Sequence, residues 1–119
     1  AELRPEEIAF LNAHGTGTRS NDACESAVFE RVFGPDVRFL STKGMTGHTL
    51  GAAGVLELIF SRMMLQEKVL PASPGFRRKG EDTPLAPVAE KTAFDGKFAM
   101  STSLGFGGCN TALIVGEEC

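Results

Sequence analysis

The sequence is poor in the residues that bind metals and form disulfides. Its 119 residues include only three cysteines and two histidines. Cys24, Cys109 and Cys119 form no CxxC pair, and two histidines without a third ligand nearby make a poor zinc site. The simplest interpretation is free thiols in a reducing compartment, so we expect a cytoplasmic protein that binds no metal.

An excess of charge and a long apolar run are also missing. The formal net charge of −3 argues against a nucleic acid or an anionic membrane as the partner. The most apolar segment, residues 50–65, is too short to cross a membrane and contains Glu57 and Arg62. Residues 1–8 are too acidic and polar for a secretory signal. The length and the 42% hydrophobic content fit one small globular domain.

The hydrophobic pattern predicts an α/β layered sheet, because segments typical of strands alternate with helical ones. The expected strands are residues 8–13, 37–42, 98–104 and 110–117, and the expected helices are residues 21–35 and 50–68. We expect the fourth strand to run antiparallel to the third across a tight turn. A long loop rich in proline, glycine and charge precedes the third strand. Because no helix precedes the first strand, we expect a part of a domain.

The two predicted helices differ in how they should be capped and buried. In the first helix, Asp22 is positioned as the cap, with Glu25 three residues later as in a capping box. Cys24, Val28 and Val32 fall on one face of this helix. The second helix is apolar on nearly every side, so it is expected to be buried between other elements.

Three polar turns that contain glycine follow predicted strands. They are AHGTGT at residues 13–18, TKGMTGH at residues 42–48 and SLGFGGCN at residues 103–110. Ligands gather at the carboxyl ends of strands in open α/β sheets, so the three turns are expected to meet. None has the GxxxxGK[ST] spacing of a phosphate loop or the GxGxxG of a dinucleotide site.

The side chains of two of these turns suggest acyl chemistry. Two neutral imidazoles, His14 and His48, could donate hydrogen bonds to one carbonyl oxygen. A carboxylate on an apolar helix is costly unless it is paired, and Lys43 is the expected partner of Glu57. The alternative is that Glu57 lies on a hydrated stripe with Ser61.

Further turn residues complete a site for a thioester. Gly107 and Gly108 leave backbone N–H groups free to face an oxyanion. Thr16 and Thr18 offer hydroxyls to a polar, amide-bearing arm of a substrate. The set lacks a nucleophile, because no cysteine lies in an evident activating environment.

Taken together, the motifs NAHGTGT, STKGMTGHTLGAAG and GFGGCN resemble the C-terminal half of a β-ketoacyl-[acyl-carrier-protein] synthase. The resemblance runs over nearly all of residues 1–119. It implies the thiolase fold, a mixed sheet with helices packed on it, built as two similar α/β halves. In that family the nucleophilic cysteine lies in the N-terminal half. We therefore expect an incomplete C-terminal domain that is inactive alone.

The resemblance also implies roles for individual residues. His14 and His48 match the two histidines that hydrogen-bond the malonyl thioester carbonyl and stabilise the enolate formed as CO₂ leaves. Lys43 matches the lysine of the site, and Glu57 matches the acid paired with it. Phe106 matches the gating phenylalanine, whose N–H joins the oxyanion hole.

The implied reaction is a decarboxylative Claisen condensation in fatty-acid or polyketide synthesis. The acyl chain moves from acyl carrier protein to the cysteine, and the malonyl-derived enolate then attacks it. Thr16 and Thr18 match residues that contact the phosphopantetheine arm. This arm arrives on the carrier protein, so no bound cofactor is expected. The implied partners are acyl carrier protein, malonyl and acyl thioesters, and a second copy in a full-length homodimer.

Two alternatives stay open. The first is a non-catalytic partner subunit, similar to a chain length factor, that shapes the acyl tunnel and binds carrier protein. The retained pair His14 and His48 favours the enzyme over this alternative. The second is a structural domain that binds carrier protein through Arg77, Arg78 and Lys79.

Overall fold

A four-stranded mixed sheet forms the centre of the protein in the computed structural model, which describes residues 1–117. Its strands are β1 (Ile8–Asn12), β2 (Phe39–Leu40), β5 (Phe98–Leu104) and β6 (Asn110–Gly116). The order across the sheet is β2-β1-β5-β6. Strand β1 runs parallel to both β2 and β5, and β6 runs antiparallel to β5, as predicted.

The two helices that the apolar pattern predicts are present as α1 (Arg19–Phe33) and α3 (Ala53–Glu67). The short α2 (Lys43–Thr46) lies in a segment that was predicted as a turn. Single 3₁₀ turns occupy Pro5–Glu7, Leu50–Ala52 and Phe106–Gly108. Within the described residues, no helix is long and apolar enough to span a membrane.

The N-terminus of α1 differs from the prediction. The helix begins at Arg19 with Thr18 as its N-cap residue, so Asp22 lies within the first turn and does not cap the helix. Glu25 forms no capping box either. Its carboxylate instead accepts hydrogen bonds from two backbone N–H groups of the preceding loop. The helix ends at Phe33, two residues before the predicted end, because Gly34 follows as the C-cap residue with a φ of 87°.

The face of α1 that carries Cys24, Val28 and Val32 is exposed in the described chain. Val28 and Val32 are 51% and 48% accessible. The helix buries Glu25 and Phe29 instead, and the ring of Phe29 contacts the ring of Phe39 edge to face. The sequence analysis did not predict this buried face, because a charged residue such as Glu25 usually marks an exposed face of a helix.

Helix α3 is buried on one side only, so the prediction of burial all round is wrong for this chain. Residues of the buried side face β5 and β6. The opposite side, with Val55, Ile59 and Met63, is 49–64% accessible. No described residue covers these three side chains.

The segment between α3 and β5 was predicted as one long loop. It contains a two-stranded antiparallel pair, β3 (Val69–Leu70) and β4 (Thr92–Ala93). This pair brings the two ends of the segment together. Strands of two residues are too short for an alternating pattern to reveal them.

The core consists of two apolar clusters, and β1 contributes to both. Phe10 belongs to the cluster that includes Leu65 of α3, and Leu11 belongs to the cluster that includes Phe29 of α1. Neighbouring residues of a strand point to opposite faces, so α1 and α3 cover opposite faces of the sheet. Because β1, β2 and β5 are parallel, their carboxyl ends lie at one edge, and the three glycine-containing turns follow there.

Candidate active site

A buried lysine lies at the centre of this edge. The Lys43 ammonium donates to Oε1 of Glu57 and lies 3.4 Å from Nδ1 of His14. Lys43, Glu57 and His14 are 9%, 2% and 8% accessible. The expected pair of Lys43 and Glu57 is therefore present. The alternative of a hydrated stripe is wrong, because Ser61 is also fully buried.

Asn12, the last residue of β1, ties the three elements of this cluster together. Its side-chain amide donates to the backbone carbonyl of Glu57 at 3.1 Å and to Oγ of Ser61 at 3.2 Å. Its side-chain oxygen accepts from the backbone N–H of Thr42 at 3.3 Å. Asn12 thus fixes α3 and the start of α2 against the end of β1. The sequence analysis missed it, although a polar amide within the predicted strand of residues 8–13, directly before the AHGTGT motif, was a usable signal.

The two imidazoles lie close together. The rings of His14 and His48 are 5.5 Å apart between centroids and nearly perpendicular. The Leu50 backbone N–H donates to Nδ1 of His48 at 3.1 Å, and the Lys43 ammonium faces Nδ1 of His14. In a neutral imidazole whose Nδ1 accepts, the proton is on Nε2. We therefore assign both histidines as Nε2–H donors.

Burial controls the charge of two site groups. Burial lowers the pKa of His14, and the positive charge of Lys43 lowers it further, although the Glu25 carboxylate opposes both. Burial likewise raises the pKa of Glu57, against the hydrogen bond and charge of Lys43. Oε2 of Glu57 is buried without a hydrogen-bond partner among the described residues. The site thus favours a neutral imidazole at His14.

Glu25 is a site residue that the sequence analysis placed elsewhere. Its Oε1 accepts from the His14 backbone N–H at 2.7 Å and from the Thr102 hydroxyl at 2.7 Å. Its Oε2 accepts from the Gly15 backbone N–H at 2.9 Å and from the Asn21 amide at 3.1 Å. One carboxylate therefore holds the turn that carries His14 against α1 and β5. Its position three residues after Asp22 suggested a cap and concealed this role.

The remaining predicted residues lie in exposed turns around this cluster. The hydroxyls of Thr16 and Thr18 are 3.3 Å apart. The side chain of Phe106 is fully exposed and packs against none of the site residues. Gly107 and Gly108 follow it with φ values of 81° and 85°. The prediction of a free N–H is wrong for Gly108, because this group donates to the backbone carbonyl of Gly105 at 3.3 Å. The structure therefore brings together His14, His48, Lys43 and Glu57. The residues expected to face an oxyanion or to contact the phosphopantetheine arm lie at the rim of this cluster.

The cysteines do not join the site. Cys24 and Cys109 are free and exposed, and Cys119 lies outside the described residues. Within residues 1–117, no group of three or more potential ligands is placed to hold a metal ion. The chemistry of the cluster is thus hydrogen-bond donation from two imidazoles beside a buried ammonium.

Comparison with known proteins defines the class. Residues 1–77 match the family model described as "Beta-ketoacyl synthase, C-terminal domain", and the chain belongs to this family. The fold is accordingly the thiolase-like α/β fold that the sequence predicts. A solved structure described as "The ishigamide ketosynthase/chain length factor" superposes with a TM-score of 0.92 at 34% identity, over 98% of this chain and 30% of that chain.

Two curated relatives are similar over almost all of the chain. Nodulation protein E of Rhizobium leguminosarum bv. trifolii is 39% identical over 95% of this chain. The 3-oxoacyl-[acyl-carrier-protein] synthase 2 of Staphylococcus aureus (strain COL) is 40% identical over 96% of it. The chain spans only 29% and 28% of the length of these two relatives.

The burial of Glu57 predicts a large effect when its partner is removed. Lys43→Met should lower the free energy of unfolding by about 3–5 kcal/mol at neutral pH, because it leaves a buried carboxylate uncompensated. Urea unfolding measures this. The loss should shrink at acidic pH, where Glu57, whose pKa is raised, takes up a proton. The double variant Lys43→Met/Glu57→Gln should recover most of the loss. Equal stability of Lys43→Met and the parent would contradict this pairing.

The contacts of Glu25 predict a second effect on stability. Glu25→Gln replaces one carboxylate oxygen by an amide donor that faces existing donors, and this should cost about 1–3 kcal/mol. Glu30→Gln is the matched control, because Glu30 is exposed on the same helix. Thermal and urea unfolding should show a loss for the first variant and almost none for the second. Similar values for the two variants would refute the role of Glu25.

Proposed function

We propose that this chain supplies the decarboxylating part of a β-ketoacyl-[acyl-carrier-protein] synthase. Such an enzyme is an acyltransferase that joins an acyl thioester to malonyl-carrier protein. The observation that carries the proposal is the pair of imidazoles, His14 and His48, each with Nδ1 facing an N–H donor. Both Nε2–H groups are then available to a substrate oxygen.

In the proposed reaction, His14 and His48 donate to the thioester carbonyl oxygen of the malonyl group. The bond between the α-carbon and the carboxylate breaks, CO₂ leaves, and the electron pair is delocalised onto that oxygen as an enolate. Two preorganised donors stabilise this developing charge more than they stabilise the neutral carbonyl. The enolate α-carbon then attacks the acyl-cysteine carbonyl, and the cysteine thiolate leaves.

Lys43 acts in this proposal through His14 and does not touch the substrate. Its ammonium faces Nδ1 of His14, so a proton on that atom is disfavoured and the Nε2–H tautomer is retained. Glu57 compensates the lysine charge, because its Oε1 accepts from the ammonium inside the buried cluster. The lowered pKa of His14 also keeps the ring neutral.

The rim residues have supporting roles in the same proposal. Thr16 and Thr18 contact the amide-bearing phosphopantetheine arm, which the carrier protein brings to the site. The backbone N–H groups of Phe106 and Gly107 face the oxyanion of the condensation step, and Phe106 gates the site. The positive φ values of the two glycines support this, since they turn the backbone sharply beyond β5.

The proposed partners follow from the class of protein. They are acyl carrier protein, malonyl and acyl thioesters, and a second copy of the synthase in a homodimer. The name of the Staphylococcus aureus relative includes the carrier protein. We place the nucleophilic cysteine outside the segment shared with the relatives, and the protein in the cytoplasm, where its free thiols remain reduced.

A non-catalytic role beside a ketosynthase is the second candidate. It is supported by the similarity to a structure that contains a ketosynthase and a chain length factor. The arrangement of His14 and His48 favours the catalytic role, because a subunit that only shapes a tunnel has no use for two neighbouring imidazole donors.

The roles of the histidines can be tested in a synthase that contains this chain. His14→Ala and His48→Ala should each slow malonyl decarboxylation by about 10²–10³-fold, the usual cost of removing one oxyanion donor. Transfer of the acyl group to the cysteine, measured by mass spectrometry, is the internal control and should persist. Decarboxylation by both variants at nearly the parent rate would refute the enolate role.

A further inference from the structure

A cavity of about 370 Å³ lies on the α1 side of the sheet. Its walls come from the first half of α1, the end of β2 and the segment of residues 73–87. The half-buried rings of Phe39 and Phe76 provide apolar surface, and Arg78 and Lys79 lie on the wall formed by that segment. The volume and the mixture of apolar and polar walls are typical of sites for small molecules.

The cavity does not open onto the residues assigned to the thioester. Gly15 and Gly17 line it, whereas Thr16, Thr18 and His14 do not. The function proposed above therefore leaves the cavity unused.

The acidic groups of the cavity are already compensated. Both oxygens of Glu25 accept hydrogen bonds from the turn that carries His14. Asp22 accepts from the Asn21 amide at 3.2 Å and lies in the first turn of α1, where the helix dipole favours a negative charge. Neither carboxylate therefore requires a cation from a ligand.

The basic groups are less fully used. The Lys79 ammonium donates one hydrogen bond, to the backbone carbonyl of Pro84 at 2.9 Å. The guanidinium of Arg78 has neither a hydrogen bond nor an ion pair with any of residues 1–117. The nearby arginine, Arg19, is paired with Asp82. The charges at the cavity that have no acidic partner among residues 1–117 are thus positive and belong to Arg78 and Lys79, and only Arg78 is also without a hydrogen bond.

We propose that this cavity binds a small molecule with an apolar body and one anionic oxygen headgroup, a carboxylate or a phosphate. The apolar body lies against Phe39 and Phe76, and the headgroup lies at Arg78. A guanidinium binds either oxyanion through two parallel N–H donors, which gives geometric as well as electrostatic selectivity. Burying the apolar body supplies the remaining affinity.

Three related probes test this on the protein by isothermal titration calorimetry: 3-phenylpropyl phosphate, 3-phenylpropanoate and the neutral 3-phenylpropanol. At least one anionic probe should bind with a Kd at least tenfold below that of the alcohol. Arg78→Ala should weaken this binding about tenfold and leave the alcohol unchanged. Arg77→Ala is the matched control, because Arg77 is the neighbouring arginine and does not line the cavity.

The outcome also assigns the headgroup. Stronger binding of the phosphate or of the carboxylate identifies which oxyanion the site prefers. The proposal is overturned if neither anionic probe shows saturable binding, if the alcohol binds as tightly as they do, or if Arg78→Ala and Arg77→Ala have the same effect. Because none of these measurements involves decarboxylation, they are independent of the role of the histidines.

Discussion

The contact of the Lys43 ammonium with Glu57 on one side and His14 on the other is the interaction on which the rest of the site depends. An ammonium that is 9% accessible needs a carboxylate, and a carboxylate that is 2% accessible needs the ammonium. Their union fixes α3 relative to the end of β2. The same ammonium also determines which nitrogen of His14 carries the proton. Lys43 therefore both holds the elements together and sets the tautomer of the histidine.

Two further polar side chains make this arrangement rigid. Asn12 joins the end of β1 to Ser61 of α3, and Glu25 holds the backbone of the turn that begins with His14. Each satisfies backbone groups or side chains that would otherwise be buried without partners. The hydrogen bonds thus position His14 from both faces of the sheet, through α1 on one side and α3 on the other.

Much of this could be predicted from the sequence, because the strands have strong apolar runs and parallel strands must end at one edge. The Lys43–Glu57 pair followed from the cost of an isolated buried carboxylate. The role of Glu25 did not, since its local pattern matched a helix cap and its true partners lie in a preceding loop. The exposed faces of α1 and α3 were also beyond prediction, because an apolar pattern does not specify what covers it.

The central claim is that both imidazoles are neutral Nε2–H donors. Measurement of the ¹⁵N chemical shifts of His14 and His48 through a pH titration tests it most directly. The account predicts that the neutral form of both rings carries its proton on Nε2, and that His14 titrates below the 6.5 of a free imidazole and is neutral at pH 7. A proton on Nδ1 of His14, or a doubly protonated His14 ring at pH 7, would contradict it.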